Sequence, residues 1–151
     1  MPYSHPHTGR PGKTLKGATP LESATPIKLD PALASIAIID GLQYLKIRLG
    51  WSGTKIAGIL HLPANTVNTW LKNGMVPIHS SVLHPDIQAL IHLLAIHRSL
   101  EAMFEQPAHQ QSWLSTLHPM LHGIPEDIMG ESIEGLIFIR QYLDYTRGRG
   151  A

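Results

Sequence analysis

The 151 residues contain no cysteine, which excludes a disulfide framework, a zinc knuckle and a thiol nucleophile. Charge is also scarce. Asp, Glu, Lys and Arg together make up 15% of the chain, against roughly 25% in ordinary soluble domains. No apolar run approaches the ~18 residues of a membrane-spanning helix. The N-terminal stretch MPYSHPHTGRPGK lacks the apolar segment of a secretory signal. The expectation is a soluble, cytoplasmic protein with no membrane partner. What the chain does have is a hydrophobic content of 43%, enough for the core of one domain or of two small ones.

The formal net charge of +1 conceals an asymmetry. Residues 1–77 hold eight Lys/Arg against three acids, whereas residues 78–151 hold four Arg against eight acids. Such a split suggests two modules with different partners, the first compatible with a polyanion.

Residues 1–30 are rich in Pro and Gly and show no apolar periodicity, which reads as a flexible basic arm. It is either a leader without function or an arm that touches phosphates. Asp30-Pro31 is an N-cap followed by proline at the first helical position, and Leu49-Gly50 closes the helix so begun. Within it Ile38, Leu42, Leu45 and Leu49 keep helical spacing. Short helices are expected over about Thr54–Leu60 and from Pro63 to Lys72, with Asn73-Gly74 as the stop. Residues 31–77 form the first module and 78–151 the second. The second module should hold a helix over Asp86–Phe104, apolar on nearly every side and therefore buried in a bundle or an interface. A shorter helix opens at Pro107, an ordered loop spans Leu117–Gly130, and a last helix covers Glu131–Thr146. The expected fold class is all-α.

The segment GTKIAGILHLPANTVNTWLK, residues 53–72, has the spacing of a helix-turn-helix. Ala57 is small where the two helices would cross, and Ile56, Leu60, Leu62, Val67 and Trp70 supply the apolar contacts. The turn position often taken by glycine is His61, which requires a side chain tolerant of positive φ. Ala64, Asn65, Asn68, Thr69 and Lys72 occupy the opposite side. Their short polar groups suit base edges, and Lys72 and Lys55 suit phosphates. Two amphipathic helices that merely pack together are the alternative. A helix-turn-helix of this kind reads a two-fold operator as a homodimer.

In the second module Trp113-Leu114, His118-Pro119, Leu121, Gly123 and Pro125 follow the order "WL…nP…L.G.sP", and a last helix ends in a Gly/Arg tail. Together with the preceding helix-turn-helix, this resembles the Xre/MbcA/ParS antitoxins that pair with RES-domain toxins. His118 and Ile124 depart from it, standing where the family tends to have Asn and Ser. The resemblance implies a type II antitoxin that neutralises an NAD-consuming toxin and represses its own operon. It also implies that Arg147, Gly148, Arg149 and Gly150 lie near the toxin's NAD pocket. On a helical wheel Ile133, Leu136, Ile137, Ile139 and Leu143 form an aliphatic stripe. Phe138, Tyr142 and Tyr145 cluster on a second side, where they either contact the toxin or pack on the long apolar helix. The tail arginines either insert into an anionic pocket or are solvated terminal residues. The other functional reading is a stand-alone regulator whose second module dimerises or senses a ligand.

No motif with a catalytic mechanism is present, so no enzyme, catalytic residue or cofactor is expected. The ten histidines do not fall in metal-ligand spacing. His92 and His97, five apart, point to different helix sides, and His118 and His122 lie in a proline-containing loop. Trp51, Trp70 and Trp113 read as core anchors.

Overall fold

Pro31 lacks an amide hydrogen and has its φ already set for a helix, so the chain can begin to coil there at no hydrogen-bond cost. In the computed structural model the Asp30 carboxylate caps this start, accepting from Ala32 N at 3.0 Å. The resulting helix α1, Pro31–Leu49, ends at Gly50 with φ 67°. The structure describes residues 30–78 and 85–150, with side chains through Gly148. The basic arm expected before Asp30, and residues 79–84 at the start of the second module, lie outside the described residues.

Six more helices follow: α2 Gly53–Ile59, α3 Thr66–Asn73, α4 Pro85–Met103, α5 Pro107–Ser115, α6 Pro125–Glu131 and α7 Ile133–Gly150. A single 3-10 turn, Pro119–Leu121, lies between α5 and α6. Among the described residues there is no strand, and the fold is all-α as expected. No helix among them is long and apolar enough to cross a membrane.

Three boundaries differ from the sequence expectation. Pro63 does not open α3. Its carbonyl is taken by Thr66 N at 2.9 Å in a separate turn, and helical bonding begins with Thr69 N to Asn65 O. The stretch expected as a loop contains α6, started by Pro125 with Glu126 and Asp127 in its first turn. The last helix starts later and ends later than expected. Glu131 closes α6, the Ser132 hydroxyl accepts from Gly135 N at 3.0 Å, and α7 continues past Thr146 to Gly150.

The apolar character of α4 has a simple cause: it is covered from two opposite sides. Leu94, His97 and Glu101 meet α1, through Gly41, Tyr44 and Arg48. His92 and Ser99, half a turn round, meet Arg140 and Arg147 of α7. At 100° per residue these two sets lie on opposite faces. One buried cluster runs through both halves, from Leu42, Leu45 and Ile56 to Leu93, Met129, Leu136 and Leu143.

Candidate functional site

Two surfaces come out of this frame. The first is the α2–α3 pair. Ser52 caps α2 by accepting from Lys55 N at 3.0 Å. Ala57 is fully buried where α2 and α3 meet, packed with Ile56, Leu60, Val67 and Trp70. The turn between them closes through Leu62 N to Ala57 O at 2.9 Å, with His61 at φ 59°. That histidine does more than tolerate the turn. Its Nε2 lies 3.0 Å from Met129 O of α6, tying the turn to the second module.

Of the residues expected to read DNA, Asn65, Asn68, Thr69 and Lys72 share one exposed side at helical spacing. Asn65 is the N-cap of α3, and Ala64 lies one residue before it in the exposed turn, so neither is on the helix proper. Asn68 is partly occupied by its own fold. Its amide donates to Thr54 Oγ1 at 3.5 Å and lies where a side chain at Gly53 would be. A side chain at Gly53 would displace the Asn68 amide from this position. Lys55 is engaged elsewhere. Its ammonium is 3.1 Å from Glu126 Oε2 and 5.0 Å from the centroid of the Trp51 ring. Thr69 and Lys72 are the exposed groups best placed to meet an external ligand.

The second surface is built by α5, α6 and α7. The residues that carried the resemblance turn out to organise it. Leu114, Leu121 and Pro125 are buried, and His118 N donates to Gly123 O at 2.9 Å, closing the loop. The His118 ring stands edge-on between Trp113 and Tyr142, with centroids at 5.8 and 5.5 Å. Its Nδ1 is buried and has no hydrogen-bond partner among the described residues. The aromatic cluster of α7 therefore divides. Tyr142 turns inward on His118, while Phe138 is 47% and Tyr145 61% exposed.

The aliphatic stripe divides as well. Leu136, Ile139 and Leu143 are in the core, Ile137 is half-buried and Ile133 is exposed. Arg147 and Gly148 are not in a loose tail but in the last turns of α7, where Arg147 Nη1 donates to Ser99 Oγ at 3.2 Å. The side chain of Arg149 lies outside the described residues, and Gly150 is the last residue of α7. Arg140 donates to His92 Nδ1 at 2.8 Å. Burial, and then the Arg140 charge, hold His92 below the usual imidazole pKa.

Sequence reasoning passed over two apolar features. Leu117 is exposed at a hollow of about 320 Å³ lined also by Phe104, Trp113 and His118, and Met120 is exposed in the turn that follows. A second apolar stripe runs along α1. Its signal was present in the spacing of Leu33, Ile36 and Ile47, on the side opposite Leu42. Between the two modules lies a polar knot, buried at His97 and Gln110 and exposed at Tyr44. His97 Nε2 is 3.2 Å from Gln110 Oε1, Tyr44 donates to Glu101, and Gln111 donates to Arg48 O at 3.0 Å. Burial is the largest effect on His97 and lowers its pKa against the opposing pull of Glu101 and Gln110. Among the described residues no group of three or more His, Asp or Glu is placed to hold a metal ion.

Residues 99–149, from the end of α4 to the end of α7, match the family model of the antitoxin Xre/MbcA/ParS C-terminal toxin-binding domain. No curated protein matches the chain.

Proposed function

We propose, from the premise that residues 99–149 make this chain an Xre/MbcA/ParS-type antitoxin, that it neutralises an NAD-consuming RES-domain toxin and represses its own operon. The toxin would be met by the outer side of α7, and the operator by α3 of a homodimer. One observation carries the toxin-binding half. The family match falls on the segment whose last helix leaves Phe138 and Tyr145 exposed, and rigid aromatic side chains are what protein interfaces concentrate.

The end of α7 adds a blocking device. Because the helix persists to Gly150 and Arg147 is held to Ser99, the segment Arg147–Gly150 is already helical before binding. Ordering it on binding then costs little further entropy. A guanidinium there can pair with acidic side chains lining the toxin's pocket, since its fork matches a carboxylate. Binding, with no chemistry on this chain, is the whole of its action on the toxin.

For the operator, the exposed Thr69 and Lys72 side of α3 and the excess of Lys/Arg in residues 1–77 support the reading. Both partners would be met in the cytoplasm. Co-expression with the toxin encoded beside it is the test. Growth and cellular NAD should recover when this chain is present. Toxicity that persists undiminished sinks the antitoxin reading and leaves a stand-alone regulator.

A further inference from the structure

The outer side of α1 carries Leu33, Ile36 and Ile47, which are 66%, 56% and 80% exposed. With Asp40 and Gln43 they follow the alternating three- and four-residue spacing of a coiled-coil seam, at positions 33, 36, 40, 43 and 47. The seam is symmetric. Ile36 and Ile47 are equally distant from the midpoint between Gly41 and Leu42, and so are Asp40 and Gln43. Two shallow hollows flank it on the side of α3. One, of about 590 Å³, is lined by Ser35, Ile36 and Met75. The other, of about 240 Å³, is lined by Gln43, Ile47 and Leu71.

The geometry points to a second copy of this chain as the occupant, with the two α1 helices packed antiparallel about a two-fold axis at that midpoint. In this register each Ile36 meets Ile47 of the other copy. The more exposed Ile47 enters the larger hollow beside Ile36, and Ile36 enters the smaller one beside Ile47. Asp40, the only charge in the seam, faces the Gln43 amide of the other copy, which donates to it. The polar pair is satisfied, and the like charges avoid meeting on the axis. A two-fold interface must use one patch twice and be complementary to itself. This seam meets that condition. Leu33, Ile36, Ile47 and Met75, all more than half exposed, make this patch apolar enough to need cover.

The inference deepens the homodimer in the function proposed above and rests on that reading for the two-fold requirement. It names the surface and its register. Since α3 packs on α1, the same axis relates the two copies of α3. The test is made on the full chain without DNA or toxin, so its failure is distinct from failure of either binding activity.

The chain has no cysteine of its own, so cysteines can be placed at will. Ile36→Cys with Ile47→Cys should give a covalent dimer on oxidation, and each single cysteine should not. Within one helix the two sites are ~16 Å apart, far beyond the ~4–7 Å between Cα atoms that a disulfide spans, so the bond must be intermolecular. The unmodified chain should sediment as a dimer. Ile36→Glu with Ile47→Glu should weaken that dimer roughly 100-fold or more while leaving the helicity of the folded chain unchanged. Phe138→Glu, on α7, should stay dimeric. Single cysteines that cross-link as readily as the pair, a pair that does not cross-link, or a dimer that survives the glutamates would each overturn the proposal. So would a monomeric unmodified chain, which would leave the seam to residues 1–29 or to another protein.

Discussion

Replacing one hydrogen by a methyl group at Gly135 should have the opposite effect from the same change at Gly58. Both glycines are inside helices, where Gly→Ala adds helix propensity of about 1 kcal/mol. At Gly58 a Cβ meets nothing within 4 Å. Gly58→Ala should therefore stabilise the protein, by about 0.5–1 kcal/mol. At Gly135 the new Cβ would overlap the Ile128 carbonyl oxygen and sit 3.0 Å from its carbon. Both are backbone atoms of α6 and cannot swing aside, so α6 and α7 must move apart at the corner that Ser132 forms. Overpacking of this kind costs about 1–3 kcal/mol, and a shift of whole helices belongs at the upper end. Met129 and Leu136, both fully buried across the same corner, lose contact as the helices part. After subtracting the propensity gain, a net loss of about 1–2 kcal/mol remains. For a chain of this size each kcal/mol moves Tm by about 2–4 °C. Thermal unfolding followed by far-UV circular dichroism should show Gly135→Ala melting several degrees below the parent and Gly58→Ala a few degrees above it. A Gly135→Ala protein that melts as high as Gly58→Ala would refute the close approach of α6 to α7.

The remaining predictions concern charge and the two surfaces. His97 has its pKa lowered by burial, with Glu101, Arg48, Gln110 and Tyr44 around it. The unfolded chain then binds the proton more readily, so stability present above the unfolded value of about 6.5 is lost as pH falls through the folded one. Calorimetry from pH 7.5 to 5 should show Tm falling, and His97→Gln should flatten that fall; an equal slope in both proteins counts against it. In operator titrations Thr69→Ala should relax sequence preference, whereas Lys72→Ala should weaken all sequences alike and reduce the salt slope by about 1. Identical behaviour of the two variants would remove α3 from the role of reader. Phe138→Ala with Tyr145→Ala should weaken toxin binding by roughly 30-fold or more through faster dissociation, without a change in Tm. Removal of residues 147–151 should relieve inhibition more than binding. If inhibition survives the truncation, the aromatic side of α7 is the inhibitory element.

Where a local rule acts alone, the sequence was enough. Asp30-Pro31 and Gly50 bound α1, and Gly74 ends α3 at φ 65°. The positive φ of His61 follows from the spacing of the two helices. Proline misleads in both directions. Pro63 looks like a helix start but belongs to a turn, since its carbonyl is used by Thr66. Pro125 looks like part of a loop but starts α6, and the acids after it were the sign of a helix N-terminus. Gly148 and Gly150 looked like breakers, yet α7 runs through them. The partners of Lys55 and Asn68 could not be read at all. Glu126 and Thr54 come to them only through tertiary packing, and pairs distant in sequence leave no mark on local pattern.

The scarcity of charge acquires a physical reason from the placement of α4. A helix sandwiched between α1 and α7 needs no charged side, and α4 has only Asp86, Arg98 and Glu101 across its 19 residues. That sandwich also fixes where partners can come from. Because α1 and α7 cover opposite sides of α4, the exposed stripe of α1 and the exposed aromatics of α7 belong to different flanks of the molecule. A second copy seated on α1 therefore leaves α7 open, and a toxin on α7 leaves the α1 seam intact. The two flanks are nevertheless mechanically joined. Tyr44 and Arg48 of α1 reach Glu101 of α4, Gln111 of α5 reaches the Arg48 carbonyl, and Lys55 and His61 reach Glu126 and Met129 of α6. The first three tie α1, and the last two the α2–α3 pair, to the C-terminal helices by hydrogen bonds and ion pairs. A shift of α6 or α7 on toxin binding would thus act directly on Lys55 and on the His61 turn that joins α2 to α3.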